Sequence, residues 1–312
     1  MEDVTDTVFR RLIMECGRPD LFFTEFTSVD GLLSKGVEQV AHRLKFIPAE
    51  RPLIAQIWGT RPEKYLLACK ELAAMGFDGI DLNMGCPVDK IVKNGACSAL
   101  IENPSLAKEI YLASVEGAGG LPVSIKTRLG FRDLRTEQWS TFLLELAPPA
   151  ITVHGRIAKH LSKKPANWDE IARVVKLRDQ MQSKTLIIGN GDIRSFDEAT
   201  QRISQTKVDG VMIGRGIFEN PFIFNHHAQT LAARPPQEKL QLLLRHIELF
   251  EQIWQGQKPF RILKKYFKIY VQSFYGASEL RARLVESDSA EEVRCHIMEW
   301  LKNDPSRFVH AS

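Results

Sequence analysis

A chain of 312 residues, 44% hydrophobic and 26% charged, is large enough to bury a barrel-sized core and has the make-up of a globular protein. Its five cysteines are scattered and never spaced as Cys-x-x-Cys. This speaks against a disulfide framework or thiolate metal site and for a reducing compartment. A net charge of +4 does not by itself imply a polyanionic partner. The acidic start Met1-Glu2-Asp3 and the lack of any long apolar run make cytoplasmic the expected location, without a membrane.

In chain order, the first helix pattern is Thr5–Glu15, with Thr5 or Asp6 available as a cap. Strands are expected at Leu21–Phe26, Leu53–Gly59, Gly79–Gly85, Pro122–Gly130, Ala150–Arg156, Thr185–Ile193 and Asp209–Gly216. Helical patterns lie between them. Pro62–Met75 has Leu66, Leu67, Leu72 and Met75 as its recurring apolar residues, and Pro104–Val115 opens with Pro and Ser. Trp139–Leu146, Trp168–Met181 and Phe196–Ile203 follow. Alternation at this spacing means parallel β/α units, and near-continuous apolar strands mean a sheet covered on both faces. Seven strands are legible where a (β/α)8 TIM barrel needs eight, so the first is expected upstream of Met1. An open doubly wound sheet is the alternative, but no Gly-x-Gly-x-x-Gly turn supports it.

After Asn220-Pro221 the pattern changes, and Pro235-Pro236 punctuates a linker. The expected division is a barrel over 1–234 and a small all-helical domain over 235–312. Leu240, Leu243, Leu244, Ile247 and Phe250 form one apolar stripe, and Ile262, Tyr266, Ile269 and Phe274 suggest another. Gly256–Arg283 carries seven basic residues against one acid, interleaved with Tyr266, Phe267 and Tyr270. Basic runs are usually solvated helix faces; the aromatic interleaving makes a polyanion surface an equal reading.

Chemistry is concentrated at strand ends. Asn83-Met84-Gly85-Cys86-Pro87 stops the run Gly79–Leu82 in a rigid turn and carries Cys86 into the loop layer where α/β barrels keep their reactive groups. A free cysteine is otherwise most often a small buried hydrophobe. Lys126 lies in an apolar strand, where a cation needs an anion or another acceptor. His154 and Gln56 stand near other strand ends and offer donors and acceptors. Each alone could be a satisfied core group; several at successive strand ends point to a ligand. Gly189-Asn190-Gly191-Asp192 and Gly214-Arg215-Gly216 occupy the usual phosphate position of such barrels, although glycines there could serve tight turns alone.

Taken together these residues resemble the tRNA-dihydrouridine synthase family. The resemblance runs from Met1-Glu2-Asp3-Val4-Thr5-Asp6 through Asn83–Pro87, Lys93–Leu100, Val123–Gly130, Val153–Arg156 and Asn190–Ile193 to Gly214-Arg215, and includes the basic helical tail. Ile157 stands where the family often has Thr, and the Ala-Pro that precedes the family's first Met is absent. The resemblance implies a flavin-dependent barrel with a tRNA-gripping helical domain. FMN would be held by Gln56, Lys126, His154, Asn190, Gly191, Asp192, Gly214 and Arg215, the last two at its phosphate. NADPH would be the reductant, hydride would go to C6 of a flipped uridine, and Cys86 would protonate C5. Asn83 and Arg156 would orient the base, and Lys93, Lys264, Lys265 and Lys268 would meet tRNA phosphates. The exposed-looking segment Leu161–Asn167, with Lys163 and Lys164, reads as a solvated loop more than an RNA contact. No obligate protein partner or metal is implied. A dihydroorotate dehydrogenase-like enzyme would explain the strand-end residues without the basic tail. A non-catalytic tRNA-binding protein would explain the tail without the chemistry.

Overall fold

The structure is a computed structural model that describes residues 4–302, so Met1–Asp3 of the N-terminal motif lie outside the described residues. Contacts divide the chain into two compact units, residues 4–7 with Pro19–Gly214 and Val8–Arg18 with residues 215–302.

The first unit is built on one parallel sheet. Its strands are β1 (Phe22–Phe23), β2 (Thr27–Ser28), β3 (Leu53–Trp58), β4 (Gly79–Met84), β5 (Val123–Arg128), β6 (Ala150–His154), β7 (Leu186–Asn190) and β8 (Gly210–Met212). β1 and β2 both pair with β3, so they are two pieces of one strand position. From β3 each strand pairs with the next in sequence, always parallel. A doubly wound sheet reverses its order at the middle; this one advances in a single direction, which is the winding of a β/α barrel. The seven expected strands thus correspond to seven consecutive strand positions of the (β/α)8 class. β4 is buried along its whole length, as a strand covered on both faces must be.

The connecting helices are fixed by local signals. Asn103 caps Pro104–Ala118 by accepting from the Leu106 N–H, Asn167 caps Trp168–Gln180 from Glu170, and Ser195 caps Phe196–Thr206 from Glu198. The apolar face expected for Pro62–Ala74 is corrected. Leu67 and Met75 are exposed, and the buried set is Tyr65, Ala68, Cys69 and Leu72. That is also a helical stripe, and it includes the small residues Ala68 and Cys69 where this helix meets Pro104–Ala118 at close range. A Cβ on Gly117 would stand 2.2 Å from the Leu66 carbonyl oxygen.

The second unit contains most of the helix Thr7–Cys16 together with Pro236–Trp254, Ala277–Glu286 and Ala290–Lys302. Phe9 stacks on Tyr266 at 5.5 Å and lies 5.3 Å from the Phe218 ring, so this helix supplies part of the unit's core. Lys239 is buried and donates to the carbonyls of Ala232, Gln272 and Ser273. The stripe expected over Ile262–Phe274 does not lie on one helix. Phe260–Tyr266 is 3-10, Phe267–Tyr270 is a single α turn, and Phe274 follows in a loop. Among the described residues, no helix is long and apolar enough to cross a membrane.

Candidate functional site

The turn that ends β4 is organised by Asn83. Its Oδ1 accepts the backbone N–H of Gly85 at 3.1 Å and of Cys86 at 2.9 Å, which stops the ladder and sets the chain direction into Pro87. The Cys86 carbonyl accepts from the Ser98 hydroxyl at 2.9 Å, fixing the far side of the turn. Half-buried Cys86 packs with Trp58 against a cluster of Phe26, Ile91, Ala96 and Cys97, so one side of the residue is apolar. Arg128, unassigned by sequence reasoning, holds the same turn from the next strand. Its Nε donates to the Gly85 carbonyl at 2.7 Å, and its Nη1 donates to the carbonyls of Ile157 and Leu161.

Next to this turn, neighbouring strands carry polar side chains in register. Gln56 of β3, Asp81 of β4 and Ser124 of β5 are paired across the sheet, as are Asn83 and Lys126. Gln56 Nε2 donates to Asp81 Oδ2 at 2.7 Å, Ser124 Oγ donates to Asp81 Oδ1 at 2.7 Å, and Asn83 Nδ2 donates to Gln56 Oε1 at 3.1 Å. Lys126 Nζ donates to Asn190 Oδ1 at 3.2 Å, and Asn190 Nδ2 donates to the Met212 carbonyl at 2.8 Å. Burial raises the Asp81 carboxyl to about 6 despite the hydroxyl, the amide and the Lys126 charge that favour its ionised form. Burial, then the nearby Arg128 charge, lowers the Lys126 ammonium to about 8 against the pull of Asp81 and Cys86. Asp81 is hidden in the sequence because one carboxylate in the run Ile80-Asp81-Leu82 leaves no periodic trace, and both its side-chain partners are distant along the chain.

At the ends of β6 and β7, Arg156 Nη2 donates to both carboxylate oxygens of Asp192, at 2.7 and 2.5 Å. Its Nε donates to the Lys164 carbonyl, and its Nη1 lies 3.0 Å from His154 Nε2. Asp192 also accepts from the Ala166 N–H at 2.8 Å. The guanidinium thus ties the loop before Trp168 to two strand ends, and Lys163 and Lys164 of that loop are exposed. Gly191 has φ +133°, and a Cβ there would stand 2.6 Å from the Ala166 Cβ and 3.2 Å from His154 Cδ2. Its backbone therefore comes close to both residues in a conformation that suits glycine.

Gln56, Asn83, Cys86, Lys126, His154, Arg156, Asn190, Gly191 and Asp192 accordingly stand at or just beyond the ends of consecutive strands in the first unit. Gly214 closes that unit with open space where a Cβ would be. Lys93 is exposed beside the short helix Asp89–Val92. In the second unit Arg215 is exposed, Lys268 is exposed, Lys265 lies 5.4 Å over the Tyr266 ring, and Lys264 is 3.9 Å from Asp288. Tyr266, Phe267 and Tyr270 are buried, so the aromatic interleaving of the basic stretch belongs to the core and offers no stacking platform. Of the same stretch, Arg281 donates to the Val271 carbonyl and Arg283 pairs with Glu299.

The family model described as dihydrouridine synthase matches residues 1–304. The chain is 42% identical over 297 residues to a probable tRNA-dihydrouridine synthase 2 of Bacillus subtilis, spanning 94% of this chain and 90% of that one. It is 42% identical over 303 residues to a probable tRNA-dihydrouridine synthase of Staphylococcus aureus, spanning 96% and 91%. A Staphylococcus epidermidis protein of the same description is 43% identical over 297 residues, spanning 94% and 90%.

Proposed function

The chain belongs to the dihydrouridine synthase family, an oxidoreductase family, and from that premise we propose that it reduces a uridine of tRNA at C5–C6 with FMN and NADPH. The observation that carries the reading is the Cys86 turn standing beside a wall of strand-end donors, Gln56, Lys126 and Asn190.

That donor set fits a flavin. Lys126 gives one described hydrogen bond, to Asn190, and an ammonium has three hydrogens, so the site is rich in donors for an electron-rich ring edge. Gly191 brings bare backbone beside the His154 imidazole. Gln56, Lys126, His154, Asn190, Gly191 and Asp192 would hold the group. Gly214 would offer its backbone to the phosphate, with Arg215, next in sequence, as the cation. FMN, when bound, would supply the hydride chemistry, taking reducing equivalents from NADPH and delivering them to C6 of the uracil.

The chain's own residues do the rest. Cys86 would give its Sγ–H proton to C5, breaking S–H as C–H forms, and the thiolate would regain a proton from solvent. The apolar cluster behind Cys86 keeps water from one side of that transfer. Asn83 would orient the base, with Arg156 acting from behind through His154 and Asp192. Lys93, Lys264, Lys265 and Lys268 would meet phosphates of the tRNA, and the protein would share the cytoplasm with that substrate. The test is to incubate purified protein with NADPH and unmodified tRNA, then analyse the nucleosides by mass spectrometry. Dihydrouridine should accumulate; its absence alongside turnover of free orotate would overturn the reading.

A further inference from the structure

The side chains Ser124, Asp81, Gln56 and Asn83 form a hydrogen-bonded series whose donations converge on Asp81, from Ser124 on one side and, through Gln56 and Asn83, from the backbone amides of Gly85 and Cys86 on the other. We propose that Asp81 is a positioning residue: by accepting from Gln56 it fixes which way round the amides of Gln56 and Asn83 stand, and so holds the Cys86 turn. The role assigned to the turn rests on the reading of Cys86 as proton donor; the positioning itself does not.

Polarity at both ends leaves no alternative arrangement. An ionised carboxylate only accepts, so Gln56 must turn its NH2 toward Asp81 and its oxygen toward Asn83. Backbone amides only donate, so Asn83 must turn its oxygen toward Gly85 and Cys86 and its NH2 toward Gln56. The two constraints agree, and the series closes with each donor facing an acceptor. Asp81 is fully buried, where an ionised carboxylate is costly, and its place is therefore explained by what it orients more than by stability.

A consequence reaches the substrate. Both acceptor sites of Asn83 Oδ1 are taken by the turn, and one N–H of its NH2 is taken by Gln56. What Asn83 has left is one N–H. A uracil carbonyl accepts such a group, whereas the amino group at the same ring position of cytosine would face it donor to donor. Asp81 thereby sets, at a distance of two side chains, the preference of Asn83 for a carbonyl over an amino group at the ring position it meets.

The test is a polarity reversal read on the thiol, with neither flavin nor tRNA needed. In a Cys295→Ser background, which removes the exposed thiol, the alkylation rate of Cys86 by iodoacetamide is followed by peptide mass spectrometry. Asn83→Asp keeps the acceptor for the turn but sets an acceptor against Gln56 Oε1, and should change the rate by about tenfold, the worth of one hydrogen bond and its mismatch. Adding Asp81→Asn lets Gln56 reverse between the two, and the rate should return to within about twofold of the parent. Gln56→Glu should likewise disturb the turn and be rescued by Asp81→Asn. Both pairs are read on the thiol alone, because Gln56 and Asn83 also belong to the proposed binding set. Melting temperatures certify that each variant is folded. Rescue in either pair supports the proposal. It is overturned if folded single variants alkylate like the parent, or if neither pair shows rescue. Should the parent reduce no tRNA at all, the proposed function fails while the alkylation result still decides the positioning role.

Discussion

Arg156 places one guanidinium nitrogen 2.7 and 2.5 Å from the two carboxylate oxygens of Asp192, across the ends of adjacent strands. The Arg156 side chain is 3% exposed and that of Asp192 29%. Breaking a fully buried pair costs about 3–5 kcal/mol, and the partial exposure of Asp192 brings the expectation for Arg156→Ala nearer to about 2 kcal/mol. Urea denaturation measures this loss. The same variant frees the loop that Arg156 and Asp192 tether, so trypsin should cut after Lys163 faster than in the parent.

Cys86→Ala should leave folding and reduction of the flavin by NADPH intact and lower dihydrouridine formation by about 10²–10⁴-fold, the usual contribution of a positioned proton donor. Single-turnover assays with unmodified tRNA read the chemical step directly.

Asp81 gives stability a defined pH dependence. Its folded value is raised from 3.8 to about 6, so the folded state holds the proton more tightly and the ionised form costs stability. The penalty is absent below about pH 4, develops as pH rises to about 6, and is constant above. Asp81→Asn abolishes it. The stability of the variant relative to the parent should therefore increase by about 3 kcal/mol across that window. Lys126, whose charge favours ionised Asp81, acts on the same titration, and Lys126→Met should move the window upward. Urea midpoints measured at intervals from about pH 4 to about pH 7 check both signs.

Lys264→Glu with Lys265→Glu should weaken tRNA binding and reduce the slope of log affinity against log salt by about one for each phosphate no longer neutralised. Tyr266→Phe should change neither quantity, because its ring is buried in the second unit. Filter binding at several salt concentrations separates the two variants.

The strand positions are legible in the sequence because each is an apolar, β-branched run closed by Gly, Pro or a polar end, and such runs need no knowledge of their neighbours. Caps such as Asn167 and Ser195 are equally local. What stays hidden depends on distant partners. The buried face of Pro62–Ala74 is set by the backbone approach at Gly117, so the exposed apolar residues Leu67 and Met75, the latter just past its end, mislead. Tyr266 of the basic stretch looks like a surface group because its core partner Phe9 is about 250 residues earlier in the chain. Cys86, Lys126 and Asn190 are visible as polar groups out of place in apolar strands. Asp81 and Arg128, which hold those groups, are not, since their roles exist only once β3, β4 and β5 are side by side.

The most direct measurement is an anaerobic flavin spectrum: the purified protein is reduced with NADPH, and unmodified tRNA is then added. The account predicts rapid return of the oxidised flavin bands with tRNA and none with free uridine or orotate. Reoxidation by orotate but not by tRNA would contradict it.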